Sequence, residues 1–134
     1  MTTMQPRILV VDPLADLVHA LTALLSARGW SVEAAGSLVE ALAKVDRFEP
    51  HVVLVGVETP LEVGIAFATR VRALHDGSVL LVGMSAWSPG VVRDRGPDLF
   101  DRICHKPLTD EGIEQIEEVV LRRFDGVRFS AGRS

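Results

Sequence analysis

Residues 8–13 read Ile8-Leu9-Val10-Val11-Asp12-Pro13. Four apolar residues in a row, three of them β-branched, carry no polar alternation and stop at an acid. That is the pattern of a short strand covered on both faces, as parallel sheets of α/β domains require. It returns at Val52-Val53-Leu54-Val55, followed by Gly56, and at Val79-Leu80-Leu81-Val82.

Working outward from residues 8–11 (β1), the apolar period lengthens to that of a helix: Leu14, Val18, Leu21 and Leu25 predict α1, closed by Gly29. Trp30 to Ala35 reads as β2, and Ser37-Leu38-Val39-Glu40 has the capping-box order that opens a helix, α2, carrying Leu38, Ala41, Leu42 and Val45. Residues 52–55 are β3. The stretch from Pro60 to Leu74 is α3, with Val63, Phe67, Val71 and Leu74 expected to face a core. Residues 79–82 are β4, a short helical stretch around Val91 to Arg95 is α4, and Leu99 to His105 is β5. Thr109 caps the last helix, α5. Its Ile113, Ile116, Val120 and Phe124 are assigned to one face, and Glu117, Glu118 and Arg122 away from it.

Five strands alternating with five helices specify an α/β domain. Right-handed crossovers, with helices on both faces, make it a doubly wound five-stranded parallel sheet of flavodoxin-like order 2-1-3-4-5. One domain is expected over residues 6–122, with 123–134 as a C-terminal tail, in a chain of 134 residues that is too short for two cores. The 48% hydrophobic content supports a folded domain, and a net charge of −4 without a basic run argues against direct nucleic-acid binding. No apolar run approaches the length of a membrane span, and the N-terminus lacks a signal-peptide pattern. With a single cysteine, Cys104, no internal disulfide is possible, and the expected location is the cytoplasm.

In such a sheet ligands gather at the carboxyl ends of the strands, near the switch point between β1 and β3. The residues there are Asp12 and Pro13 after β1, Gly56 after β3, Ser85 after β4, and Lys106-Pro107 after β5. These residues, with Val10-Val11-Asp12 at β1, Pro60 and Gly64 four and eight residues beyond position 56, and Ser85 and Lys106-Pro107 at their strand ends, resemble the receiver domain of bacterial response regulators over about residues 6–122. The resemblance implies a signalling role. In the family, β1 carboxylates hold magnesium, a β3 aspartate is phosphorylated, and a hydroxyl residue and a lysine contact the phosphoryl group.

The chain departs from that pattern at the chemistry. The acceptor aspartate falls on Gly56, the second magnesium-binding acid falls on Pro13, and no other Asp lies between Asp46 and Asp76. Phosphoryl transfer needs an in-line nucleophile and a cation with several hard oxygen ligands, and these residues supply neither. Ile103 stands where many receivers carry a switching Tyr or Phe.

Each residue also has a plainer role. Asp12-Pro13 suits a helix cap followed by proline, and Asp12 is expected to pair with Lys106 as well. Ser85 suits a turn bond, and Glu58 an exposed loop position. Lys106 is one of only two lysines beside twelve arginines, so its place at the end of β5 carries weight. The four histidines are scattered without metal-ligand spacing; no metal, cofactor or catalytic group is expected.

The reading is therefore a phosphorylation-independent receiver-like module, not an enzyme. It is expected to act on a protein partner or a second copy through the α4-β5-α5 face, with Ile103, Glu117, Glu118 and Arg122 as interface candidates. Two alternatives are a small anionic ligand held by Lys106 and Ser85 in the space left by Gly56, and phosphorylation at an unconventional residue.

Overall fold

The computed structural model of the chain describes residues 4–57, 61–75, 77–86, 99–106 and 108–129. The strands are β1 (Arg7–Val11), β2 (Ser31–Ala35), β3 (Val52–Gly56), β4 (Leu80–Ser85) and β5 (Arg102–His105). All pair in parallel, in the order β2-β1-β3-β4-β5. The described helices are α1 (Ala15–Ala27), α2 (Leu38–Phe48), α3 (Leu61–His75) and α5 (Asp110–Arg123). The segment assigned to α4 lies outside the described residues, as do Glu58, Pro60 and Pro107.

Because side chains alternate along each strand, the sheet feeds two separate cores. Ile8, Val10, Val52, Leu54 and Val82 pack with Leu21 and Leu25 of α1 and with Ile113, Ile116 and Val120 of α5. Leu9, Val11, Val53, Val55 and Leu81 pack on the other side with Ala41 and Val45 of α2 and with Phe67, Ala68 and Val71 of α3. The unbroken apolar runs of the central strands are thus explained by two buried faces.

The boundaries shift in instructive ways. β4 runs on to Ser85 because Gly83, Met84 and Ser85 are all buried. β5 begins only at Arg102: the preceding Asp101 takes the Leu81 N–H on its own carboxylate at 2.7 Å, while its N–H donates to the Leu81 carbonyl at 2.8 Å. In α3, Val63 and Leu74 are exposed, against expectation. The inward stripe is instead Gly64, Phe67, Ala68 and Val71, a true i, i+3, i+4, i+7 set. Gly64 lets the helix close on the sheet, since a Cβ there would stand 3.1 Å from Val57 Cγ1 and 3.4 Å from Val57 Cα.

Residues 124–129, which follow α5, do not hang free as a tail. The Met4 N–H donates to the Gly126 carbonyl at 2.7 Å, and the Arg128 N–H donates back to Met4 at 2.8 Å. Val127 is buried, and the Phe129 ring meets Trp30 edge-on with centroids 5.2 Å apart. Hydrophobic side chains at 124, 127 and 129, on either side of a turn at Asp125-Gly126, cover the foot of the first core.

Candidate functional site at the strand ends

Val11 and Val55 are register partners, as are Gly56 and Met84, and Ser85 and His105. Asp12, Gly56, Ser85 and Lys106 therefore come together at the carboxyl ends of β1, β3, β4 and β5. The Lys106 N–H donates to the Ser85 carbonyl at 2.8 Å, which carries the β4–β5 ladder one residue past the strand and sets where the lysine leaves the backbone.

Asp12 is buried and has two jobs. Its Oδ1 accepts the Leu14 N–H at 2.9 Å, and its Oδ2 accepts from Lys106 Nζ at 2.7 Å. The first bond corrects the capping expectation: α1 begins at Ala15 with Leu14 at the cap position and no side-chain cap bond, so Asp12 closes a two-residue turn before the helix. The pairing with Lys106 is as the sequence led one to expect. Pro13 is exposed beside it and offers no oxygen ligand on its side chain.

Gly56 is where the chemistry turns. A Cβ at position 56 would overlap Asp12 Oδ2 and would stand 3.0 Å from Asp12 Cγ and 3.4 Å from Lys106 Nζ. The space freed by the missing side chain is filled by the Asp12 carboxylate, so it is not the room for an anionic ligand that the sequence reading allowed. Among the described residues no group of three His, Cys, Asp or Glu side chains is placed to hold a metal ion. A groove of about 470 Å³ does run from Asp12 and Pro13 between α1 and β2, past Val18, His19 and Ala34. Its described lining carries the Asp12 charge and no lysine or arginine.

The four interface candidates separate. Glu118 and Arg122 are exposed on α5, and Ile103 is half-buried on β5 against the second core. Glu117 is not on the surface at all: it is fully buried, which corrects its assignment to the outer face. On a helix of 3.6 residues per turn, position 117 falls between 113 and 120 on the inward stripe. Its carboxylate accepts from Arg28 Nε at 3.0 Å, Arg28 Nη2 at 2.9 Å and Trp30 Nε1 at 3.1 Å. The hydrogen bonding that Arg28 donates to Glu117 raises the Arg28 pKa above its ordinary value, against the lowering effect of burial. This joint between α5 and the α1–β2 turn was missed in the sequence, although the helical phase of Glu117 pointed to it.

No family model matches the chain. Among solved structures, it is similar to the chemotaxis protein CheY4 of Vibrio cholerae, with a TM-score of 0.78 at 22% identity over 88% of this chain and 100% of that one. It is also similar to a CheY-like receiver domain protein of Methanospirillum hungatei, with a TM-score of 0.77 at 21% identity over 90% of this chain and 97% of that one. The fold is that of a response regulator receiver. The chain also has curated relatives by sequence. The chain is 39% identical over 125 residues to a protein-glutamate methylesterase/protein-glutamine glutaminase of Anaeromyxobacter dehalogenans, matching 87% of this chain and 36% of that protein. It is 36% identical over 86 residues to the DNA-binding response regulator MtrA of Mycobacterium tuberculosis, matching 64% of this chain and 37% of MtrA. The chain thus spans little more than a third of the length of the curated relatives it matches. No described helix is long and apolar enough to cross a membrane.

Proposed function

We propose that this chain is a pseudo-receiver: a signalling module of the two-component type that works without accepting phosphate, through protein contacts on the side formed by the α4 segment, β5 and α5. The observation that carries this reading is Gly56. At the strand end where a receiver's acceptor would stand the β3 residue has no side chain, and the Asp12 carboxylate that fills the place is tied to the Leu14 N–H and to Lys106. An in-line attack on phosphorus finds no carboxylate on β3, the resident Asp12 is already engaged, and Pro13 leaves a magnesium ion without a second carboxylate. The exposed charges of Glu118 and Arg122 on α5 suit a polar contact surface.

The test is to incubate the full chain with acetyl phosphate and magnesium, and separately with beryllium fluoride and magnesium, and to read intact mass and melting temperature. The expected result is an unchanged mass and no shift. A ligand at 100 times its dissociation constant would stabilise the fold by about 2.7 kcal/mol, so a magnesium-dependent rise in melting temperature, or an added phosphate, overturns the reading. Light scattering with and without substitutions at Glu118 and Arg122 then tests the face: a second copy or a partner bound there is lost with charge reversal at these positions.

A further inference from the structure

We propose that Gly56 is part of a permanent latch, in which the absence of a side chain at position 56 lets Asp12 reach Lys106 and tie the end of β1 to the end of β5 in one state. The proposal rests on the phosphate-independent reading and concerns how that same site is regulated: it is set by the fold and does not wait for a modification.

The geometry is specific to a glycine. A single Cβ would overlap Asp12 Oδ2, and that carboxylate cannot swing aside cheaply, because it is buried and held by both the Leu14 N–H and the Lys106 ammonium. Gly56 does not sit in the left-handed region; among the described residues the glycines that do are Gly29, Gly77 and Gly126. Alanine is therefore acceptable to the backbone at 56, and the space is what excludes it. The latch spans the sheet, since β3 and β4 lie between β1 and β5. It ends on a residue whose N–H is bonded to Ser85 and which leads into α5. A ligand shifts a conformational equilibrium only through unequal affinity for its states. With Lys106 already facing a resident carboxylate, the β5–α5 side is presented in one form.

The wild-type chain tests this directly. With only Lys44 and Lys106 present, a Lys44→Arg variant assigns the Lys106 ammonium in a ¹⁵N spectrum. Its hydrogens are expected to exchange slowly with water and to respond to Asp12→Asn. A rapidly exchanging ammonium overturns the latch. The steric half is tested by Gly56→Ala in the wild type and in an Asp12→Ala/Lys106→Met background, with Gly36→Ala as control, because a Cβ at Gly36 meets nothing within 4 Å. Gly56→Ala is expected to lower the melting temperature by more than about 5 °C in the wild type and to raise amide exchange over residues 102–106, whereas Gly36→Ala does neither. In the charge-free background the extra effect of Gly56→Ala should vanish. An equal loss in both backgrounds overturns the proposal. If Gly56→Ala does not fold, recovery of the fold in the triple variant supports the latch and its failure to recover overturns it. Labelling of the wild type by a phosphodonor defeats the phosphate-independent reading, whereas an unlabelled chain without coupling between positions 12 and 56 defeats only the latch.

Discussion

Asp12 and Lys106, ninety-four residues apart in sequence, meet at 2.7 Å with 1% and 11% of their side chains left to solvent. A pair so enclosed is weak as a net source of stability, but each member is costly to strand. The Lys106→Met substitution leaves the Asp12 anion buried beside the Leu14 N–H without its ammonium partner and is expected to destabilise the fold by about 3–5 kcal/mol. Denaturant midpoints check it. A loss below about 1 kcal/mol would mean that the carboxylate reaches water more easily than its burial indicates.

Restoring the acceptor alone should not restore the reaction. In Gly56→Asp the new side chain has to displace Asp12 from the space above residue 56, two carboxylates then crowd one lysine, and Pro13 still withholds the second metal ligand. Intact-mass measurement after exposure to acetyl phosphate is expected to show no stoichiometric labelling. The Gly56→Asp/Pro13→Asp double variant is the one expected to gain magnesium-dependent modification.

His51 predicts a pH dependence. Its Nδ1 accepts the Arg7 N–H at 3.0 Å, which requires a neutral ring, and its main chain bonds Arg7 and Leu80 at the feet of β1 and β4. Burial first, and the Arg7 charge second, lower its pKa below the ordinary 6.5. A group depressed in the fold contributes its full stability above the unfolded value, so stability is expected to hold above about pH 6.5. It should fall as the pH drops from there toward the lowered folded-state pKa, because the unfolded chain takes up the proton first. Unfolding free energy measured between about pH 5 and 7.5, in wild type and in His51→Gln, checks the assignment: the variant should lose this slope.

The Glu117 joint is asymmetric. Arg28 keeps 19% of its side chain in solvent and Glu117 none, so Arg28→Ala strands a buried anion while Glu117→Ala leaves a guanidinium that water can reach. Arg28→Ala is expected to cost about 3 kcal/mol or more, and more than Glu117→Ala despite removing fewer of the carboxylate's contacts. Chemical denaturation of the two variants ranks them.

Truncation after Arg123 removes Phe124, which packs edge-on to His51 at 5.0 Å, together with Val127 and Phe129. The shortened chain is expected to melt well below the full one and to show a solvent-exposed Trp30 by quenching in a Trp87→Phe background. Equal melting temperatures would return residues 124–129 to the status of a tail.

The sheet order and the strand-end cluster were legible because long-range placement in this architecture follows from runs of four apolar residues and from helical periods between them. Asp12, Gly56, Ser85 and Lys106 needed only the rule that sites lie where parallel strands end. What the sequence concealed was relational. That the Asp12 side chain fills the void at Gly56 depends on the register of two strands forty-four residues apart, and nothing in either segment alone states it. Glu117 was misplaced for another reason: an acid was assigned to the surface by its type, when its phase along α5 put it inward beside a partner at Arg28. Residues 124–129 lack a strand's length, and only the pairing with Met4 makes them part of the fold.

That pairing brings the two ends of the described chain side by side at the foot of the sheet, Met4 bonded to both Gly126 and Arg128. Over its described residues the polypeptide is topologically close to a closed ring. A short peptide joining these neighbours would add little loop entropy, and the ring could then be reopened at the turn around Gly77 and Ser78, where the backbone is exposed. Such a circular permutant would carry its new ends between α3 and β4 and keep the Asp12–Lys106 contact between residues whose separation along the chain had been rearranged, so the order in which the sheet assembles could be varied while its strand ends stay as they are.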